Sequence, residues 1–320
     1  MEVQVFNQDA IKNAVSMPRA IELMRAAFAD LSAGKVDSPV RTVLTNEAGT
    51  VLYKPAYSAG ANVFCAKVVS VFSGNAERGI PVTPGIIVVN DGETGMPVAL
   101  LEAGYLTALR TGAATGLATD LLASADASVA ALFGTGGQAA HQLEAMLCVR
   151  ELTKVYVFSR REENAVRYCA EMMKPGSECE LVPTTDLSVL AECDIITTAT
   201  TSATPVFDDA HIGEAVHINA IGSLGPTRSE IPEAIIERAT IVVDQREACL
   251  KEAGELLPLI ADGRLSADFK PAELGEIVTD SNYRAEQKVT VFKSAGNAVQ
   301  DLVCAVEVMK SADASQSIRF

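Results

Sequence analysis

From residue 130 to residue 244 the chain repeats one pattern. A short apolar run rich in β-branched and aromatic residues is followed by a longer stretch of helical period. The apolar runs fall at 130–133, 154–158, 180–182, 194–198, 216–221 and 240–244, with helical stretches at 138–149, 162–173, 186–191 and 232–238. Six strands alternating with crossovers predict a parallel, doubly wound sheet of the Rossmann type, placed at 121–293. The first 120 residues read differently. Ser16 as N-cap, Pro18 at the start and Gly34 past the end predict a helix over 18–33. Alternating runs at 40–44, 50–54, 63–72 and 85–89 predict strands. The turn residues Asn90-Asp91-Gly92 and Thr94-Gly95 before 98–101 predict a hairpin. A long Ala/Gly/Thr-rich helix is expected over 102–122. A second small-residue helix over 295–309, with no further strand to feed, is expected to return to the first domain. The fold class is therefore α/β, with a second, α+β domain built from 1–120 and 294–320.

The apolar run 130–133 ends in Gly134-Thr135-Gly136-Gly137-Gln138-Ala139, and a helical segment follows at once. Strand, glycine turn and helix in that order suit a dinucleotide pyrophosphate. Gly134 permits the tight turn, Gly136 lets backbone approach the phosphates, and small Ala139 lets helix and strand pack closely. The helix N-terminus supplies N–H donors. An ordinary glycine turn between a core strand and a helix reads the same way locally. At the end of the second strand stands Ser159-Arg160-Arg161, where an acid would bind a ribose 2′-hydroxyl. Arginine there accommodates a 2′-phosphate, so NADP(H) is expected over NAD(H).

Composition narrows the partners. Asp and Glu number 41 against 26 Lys and Arg, a formal net charge of −15. Non-specific nucleic-acid binding needs a basic surface and is not expected. No apolar run reaches the roughly 18 residues of a membrane span, and residues 1–16 lack the pattern of a signal peptide. The seven cysteines, an odd number with no Cys-x-x-Cys pair, fit reduced thiols in the cytoplasm. The three histidines form no metal-ligand spacing, so no metal is expected.

Chemistry must then come from isolated charges in apolar surroundings. Lys67 is the only charge in Val63-Phe64-Cys65-Ala66-Lys67-Val68-Val69-Ser70-Val71-Phe72. Buried, it must be paired or have a lowered pKa, which suits a proton donor; at a sheet edge it would snorkel to water. Arg110 sits among small residues on the helix that carries Thr107, Thr111, Thr115 and Thr119. It could clamp a carboxylate or pair with Glu102 or Asp120. Arg41, in the strand-like 39–44, gains interest from the company of these two.

Ala66-Lys67-Val68-Val69-Ser70, Asn90-Asp91-Gly92-Glu93-Thr94-Gly95-Met96-Pro97, Leu106-Thr107-Ala108-Leu109-Arg110-Thr111-Gly112-Ala113 and Lys293-Ser294-Ala295-Gly296-Asn297-Ala298-Val299-Gln300-Asp301 resemble segments of the ornithine cyclodeaminase/mu-crystallin family. The likeness spans nearly the whole chain and keeps the family's motif order. It implies an NAD(P)-dependent oxidoreductase whose substrate domain also pairs subunits into a homodimer. It implies that Arg41 and Arg110 hold the substrate α-carboxylate and that Lys67 lies by the reacting carbon–nitrogen bond. Thr111, the turn Gly134 to Ala139, Thr200, Ser202, Ser294 and Gly296 are implied as cofactor contacts, with Ser159 and Arg160 at the ribose end.

One departure matters. Cyclodeaminases carry an aspartate in the loop after 219–222, whereas Leu224 stands there in this chain. Leucine cannot pair an ammonium; Asp208, Asp209 and Glu230 are candidates to stand in, but nothing in the sequence places them there. The expected activity is reduction of a cyclic ketimine acid, such as Δ1-pyrroline-2-carboxylate, to L-proline or a homologue. A lowered Lys67 pKa, driven by repulsion from the two arginines, is expected to help. The alternatives are an alanine- or arginine-type amino-acid dehydrogenase, an ornithine cyclodeaminase, and a non-catalytic NADPH-binding protein of the mu-crystallin kind. Retention of Arg41, Lys67, Arg110 and the glycine turn argues against the last.

Overall fold

The computed structural model describes residues 2–173, 176–223 and 225–320. The chain forms two compact units: Met1–Arg110 with Gly296–Phe320, and Thr111–Ala295. Both divisions differ from those placed by sequence pattern. The first falls inside a continuous helix, between Arg110 and Thr111, so residues 111–120 count with the nucleotide-type unit.

Unit 1 contains strands β1 (Glu2–Phe6), β2 (Val36–Asp37), β3 (Thr42–Thr45), β4 (Thr50–Ser58), β5 (Val63–Val71), β6 (Gly85–Asp91) and β7 (Pro97–Glu102). It also contains β16 (Gln316–Arg319) from the chain's end. Its helices are α1 (Gln8–Ala14), α2 (Met17–Ser32), the first turns of α3 (Ala103–Leu122), and α10 (Ala298–Ser311). The sheet order is β16-β1-β7-β6-β5-β4-β2, with β3 also paired to β4. The tail does feed a strand, contrary to the sequence reading: β16 runs antiparallel to β1. Its four residues are all exposed, so no apolar alternation marked it.

Register sets the two faces of this sheet. Lys54 of β4 pairs with Lys67 of β5, which pairs with Ile87 of β6, which pairs with Leu101 of β7. Alternation puts Leu52, Lys54 and Ala56 on the same face as Cys65, Lys67 and Val69, and all six are buried. Helix α10 packs on β4 and β5 from this side and in turn touches α2. Ser16 caps α2 by accepting from the Arg19 N–H at 3.4 Å, as its sequence predicts. The opposite face carries Tyr53, Val68 and Ile86 in one cross-strand row, and Tyr57 stacks on Phe64 with ring centroids 4.5 Å apart.

Unit 2 holds β8 (Val129–Phe133), β9 (Lys154–Phe158), β10 (Glu180–Pro183), β11 (Ile195–Thr198), β12 (Val216–Ala220), β13 (Thr240–Val243), β14 (Ala272–Glu273) and β15 (Val289–Lys293). Its helices are the remainder of α3, then α4 (Ala139–Val149), α5 (Glu162–Met172), α6 (Glu233–Arg238), α7 (Arg246–Glu252), α8 (Leu257–Ala261) and α9 (Leu274–Thr279). All strands are parallel, in the order β10-β9-β8-β11-β12-β15-β13-β14. The direction of winding reverses between β8 and β11, the switch point where open α/β sheets bind ligands. The late strand β15 slots between β12 and β13, which local pattern did not show. Leu132, Leu143, Met146, Val155, Val157 and Ile195 share one core. Each such side chain contributes about 1.5–3 kcal/mol on burial.

His217 of β12 is buried in this unit between Thr290 Oγ1 at 2.8 Å and Asn219 Oδ1 at 3.0 Å. Burial pushes its pKa down to about 3, against a weaker raising effect of the Asn219 bond. An unfolded histidine titrates near 6.5, so between about pH 6.5 and 3 the unfolded chain binds the extra proton. Stability therefore falls as pH drops through that window. His217→Gln, which removes the titration, should flatten the dependence of the urea midpoint on pH between 6.5 and 4. An unchanged slope would assign the acid sensitivity to other groups.

Candidate active site

The inner face of the unit 1 sheet gathers charge where apolar packing would be expected. Lys67 is 1% exposed and Asp301, on the first turn of α10, is fully buried. The Lys67 ammonium lies 2.7 Å from both Asp301 oxygens, but its hydrogen bond is directed at Oδ1; Oδ2 accepts none. A second bond runs from Lys67 Nζ to Thr107 Oγ1 at 3.1 Å. Arg110, one helical turn beyond Thr107, donates through Nε to Asp301 Oδ1 at 3.1 Å and through a terminal nitrogen to Gln300 Oε1 at 2.9 Å. Gln300 is held in turn by accepting from the Asn297 N–H at 3.0 Å.

Burial pulls the Lys67 pKa down, Arg110 adds to the fall, and Asp301 opposes both, leaving it at about 8. Burial alone would raise the Asp301 pKa; Lys67, Arg110 and Lys54 overcome it and hold the carboxyl below its ordinary value. Lys54 is buried beside Lys67 and donates to the Gly296 carbonyl at 3.2 Å. Gly296 has φ +73°, and a Cβ there would come within 3.0 Å of the Arg110 guanidinium. Only glycine lets this backbone pass so close to the arginine.

In unit 2, β8 ends in the turn Gly134 to Gln138. Gly134 has φ +106°, and a Cβ on it would meet Ala199 O at 2.5 Å, so the position demands glycine. Around Gly136 and Gly137 no atom lies within 4 Å of where a Cβ would sit, leaving the outer side of the turn open. Gln138 gives α4 no side-chain cap, so its first N–H groups are not spent on one. Thr135 and Ser159 hydroxyls lie 3.3 Å apart at the ends of β8 and β9. Arg160 is exposed and joins no ion pair among the described residues. An uncapped helix start beside an open glycine turn fits the pyrophosphate of a dinucleotide.

The loop after β12 is tied down from within the same unit. Glu230, fully buried, accepts from Thr198 Oγ1, Thr200 N, Gly222 N and Ser223 N at 2.6–3.1 Å. Lys293 donates to Ser223 O and Ser223 Oγ at 3.0 Å and to Glu255 at 2.9 Å. Asp209 pairs with Arg238 at 2.7 Å. Leu224 itself lies outside the described residues. Glu230 and Asp209 are thus engaged in tethering and in a surface pair, and cannot replace an aspartate in that loop without leaving those partners. Among the described residues no group of three His, Cys, Asp or Glu side chains is placed to hold a metal ion.

The ornithine cyclodeaminase/mu-crystallin family model matches residues 1–316. The chain belongs to this family. A Δ1-pyrroline-2-carboxylate reductase of Bacillus cereus is 37% identical over 306 residues, 94% of either chain. The structure of Thermococcus litoralis Δ1-pyrroline-2-carboxylate reductase, in complex with NADH and L-proline, superposes with a TM-score of 0.90 at 33% identity, covering 97% of both chains. An archaeal alanine dehydrogenase, described as a dimer with bound NAD, gives 0.92 at 30% identity over the full length of both.

Within the family frame, the predicted residues divide into those brought together and those used otherwise. Lys67 and Arg110 meet on Asp301. Arg110 pairs with neither Glu102, which caps the start of α3, nor Asp120, which faces Arg150 at 3.5 Å. Arg41 precedes β3 and lies near enough to Lys54 to depress its pKa. The lowering of Lys67 comes first from burial and then from Arg110, whereas the sequence pattern points to repulsion from the two arginines as the cause. Thr111 is buried and its carbonyl accepts from Thr115. Thr200 Oγ1 accepts from the Ser202 N–H at 3.0 Å, and Ser202 Oγ is turned to the Thr204 carbonyl at 2.6 Å. Ser294 Oγ is bonded to Asp244 at 2.8 Å. Two residues escaped the sequence reading, Lys54 and Asp301. Each had a signal: Lys54 falls on the buried parity of its strand, opposite Lys67, and Asp301 is the acid that closes the Gly296–Asp301 motif.

Proposed function

We propose that the protein reduces a cyclic ketimine acid, such as Δ1-pyrroline-2-carboxylate to L-proline, in the cytoplasm and with NADPH preferred over NADH. In class it is an NAD(P)-dependent oxidoreductase acting on CH–NH and C=N bonds. The observation that carries the reading is the buried Lys67, held on Asp301 with Arg110 on the same carboxylate. A bound nicotinamide dinucleotide supplies the hydride that a C=N carbon accepts. Gly134, Thr135, Gly136, Gly137, Gln138 and Ala139 would hold its pyrophosphate, Ser159 and Arg160 its ribose end, with Thr111, Thr200, Ser202, Ser294 and Gly296 as further contacts.

The chain's own part is proton placement and orientation. An imine carbon is most electrophilic when its nitrogen is protonated, and Lys67 with a pKa of about 8 keeps a proton to give at neutral pH. Two of its three N–H groups are spent on Asp301 and Thr107, leaving one for substrate. Arg110 spends two of its five N–H groups on Asp301 and Gln300, so it keeps donors for a carboxylate. Arg41 is the second arm of that clamp. A second copy of the chain would cover the outward face of the unit 1 sheet, where Leu44, Tyr53, Phe64 and Ile86 are exposed apolar residues.

The test is a spectrophotometric assay of Δ1-pyrroline-2-carboxylate reduction with either cofactor. Higher kcat/KM with NADPH is expected, and Arg160→Ala should raise the KM for NADPH while leaving that for NADH nearly unchanged. Equal or better use of NADH by the unaltered protein would defeat the cofactor preference; no turnover with either would defeat the reductase reading.

A further inference from the structure

We infer that Asp244 makes the Ser294 hydroxyl an acceptor reserved for the carboxamide N–H of the cofactor's nicotinamide ring. The inference rests on the ketimine-reductase reading and deepens its cofactor site. Asp244 follows β13 and Ser294 follows β15, both at the carboxyl ends of the parallel strands of unit 2, the edge where open α/β sheets bind ligands. The Gly134 turn and Ser159 stand at the same edge, after β8 and β9. A dinucleotide with its pyrophosphate at β8 and its adenosine ribose at β9 would carry its nicotinamide the other way across the switch point, toward β11, β12 and β15.

Donors converge on Asp244, which is buried, as is Ser294. Its Oδ1 accepts from the Gln245 N–H at 2.8 Å, the Ala295 N–H at 3.2 Å and the Cys249 thiol at 3.4 Å, and its Oδ2 accepts from Ser294 Oγ at 2.8 Å. A carboxylate only accepts, so the single hydroxyl proton of Ser294 is committed to it and lone pairs are what Oγ has left to offer. Among the described residues no group donates to them. Ser223, after the neighbouring strand β12, differs: its hydroxyl donates to Glu255 and accepts from Lys293 at 3.0 Å, so its proton and a lone pair are both spent. On a nicotinamide ring the carboxamide N–H can serve a buried acceptor, and its carbonyl cannot. The backbone at this place is held without the carboxylate. Ser294 N–H donates to the Ala220 carbonyl and Asp244 N–H to the Lys293 carbonyl, each at 3.3 Å, which carries the ladder past the strand ends. Asp244 thus acts through Ser294 and is a positioning residue.

Titration calorimetry on the full-length protein with NADP⁺ and its 3-acetylpyridine analogue reads this polarity. The analogue keeps the ring carbonyl and has a methyl group in place of the amide nitrogen. A donating hydroxyl would serve either carbonyl alike, whereas an accepting one serves the amide alone. NADP⁺ should bind about tenfold or more tighter, the effect of leaving a buried acceptor unpaired. The same ratio should appear in the pair of dinucleotides that lack the 2′-phosphate. Ser294→Ala should bring the two ligands within about threefold of each other, and Ser294→Thr, which keeps the hydroxyl, should retain the preference. Asp244→Asn should also shrink it, because an asparagine amide can donate to Ser294 Oγ and free the hydroxyl proton for a carbonyl. If Asp244→Asn does not fold, the unaltered protein and Ser294→Ala still decide. Equal binding of the two ligands by the unaltered protein overturns the inference. So does an Asp244→Asn variant that keeps the full preference or weakens both ligands alike, which would leave Asp244 a structural tether. Binding of neither dinucleotide overturns the inference together with the cofactor site. Failure of the reductase reading looks different: the preference for the carboxamide would persist with no turnover of any ketimine.

Discussion

Lys67→Met should lower kcat for ketimine reduction by at least about 10²-fold, the lower end of what a positioned general acid contributes. Methionine matches the length and apolar character of a buried strand position, and Asp301 keeps Arg110 as a partner at 3.1 Å. The variant should therefore fold, with near-native circular dichroism and little change in NADPH affinity. The pH profile supplies a second readout. The protonated ammonium is the active form, and its pKa is about 8, so kcat/KM should fall as pH rises through that value. Lys67→Met should lose this limb. Near-normal turnover by Lys67→Met would reduce Lys67 to a structural partner of Asp301 and remove the mechanism.

The second large effect is expected at Asp301. Replacing it with asparagine removes the one carboxylate that Lys67 and Arg110 share and leaves Lys54, Lys67 and Arg110 repelling one another. Breaking a buried ion pair from one side costs about 3–5 kcal/mol, because the remaining charges keep their desolvation penalty. The urea midpoint of Asp301→Asn should fall accordingly. Asp301 raises the Lys67 pKa, so the descending limb of the activity profile should move below pH 8 in the variant. In the unaltered protein the Asp301 carboxyl is held below its usual value. Its contribution to stability is thus present above about pH 3.9, the ordinary aspartate value, and is lost as pH falls further, toward its folded pKa. A stable Asp301→Asn variant with an unmoved pH limb would show that Asp301 does not tune the lysine.

Arg110 shows how far local sequence could be read. Its helix, its small neighbours and the Thr107 spacing were all visible, and so was the need for a partner. Which acid it meets was not, because Asp301 lies 191 positions away and arrives only when α10 packs on the sheet. The same holds for Lys54. Alternation along β4 puts it on the buried face, yet only the β4–β5 register sets it opposite Lys67 and makes a cationic cluster of two separate lysines.

Other elements divide along the same line. The strand–glycine turn–helix unit at Gly134 was legible by itself, since its chemistry is confined to a few consecutive residues whose backbone needs are local. The α/β class followed from the periodicity of 130–244. The terminal strand β16 was not legible, because four exposed residues carry no apolar alternation and gain their strand from pairing with β1. Strand β15 had a β-rich sequence, but its place between β12 and β13 is a long-range pairing. Likewise, Glu230 looked like a spare acid near the loop after β12, and only folding shows it spent on Thr198, Thr200, Gly222 and Ser223. Sequence alone thus determined the six runs of the parallel sheet at 130–244, the nucleotide-type turn and the isolated charges that had to be explained. Tertiary structure decided which of those charges meet, because buried ionic partners are chosen by register and helix packing, and neither leaves a trace in local pattern.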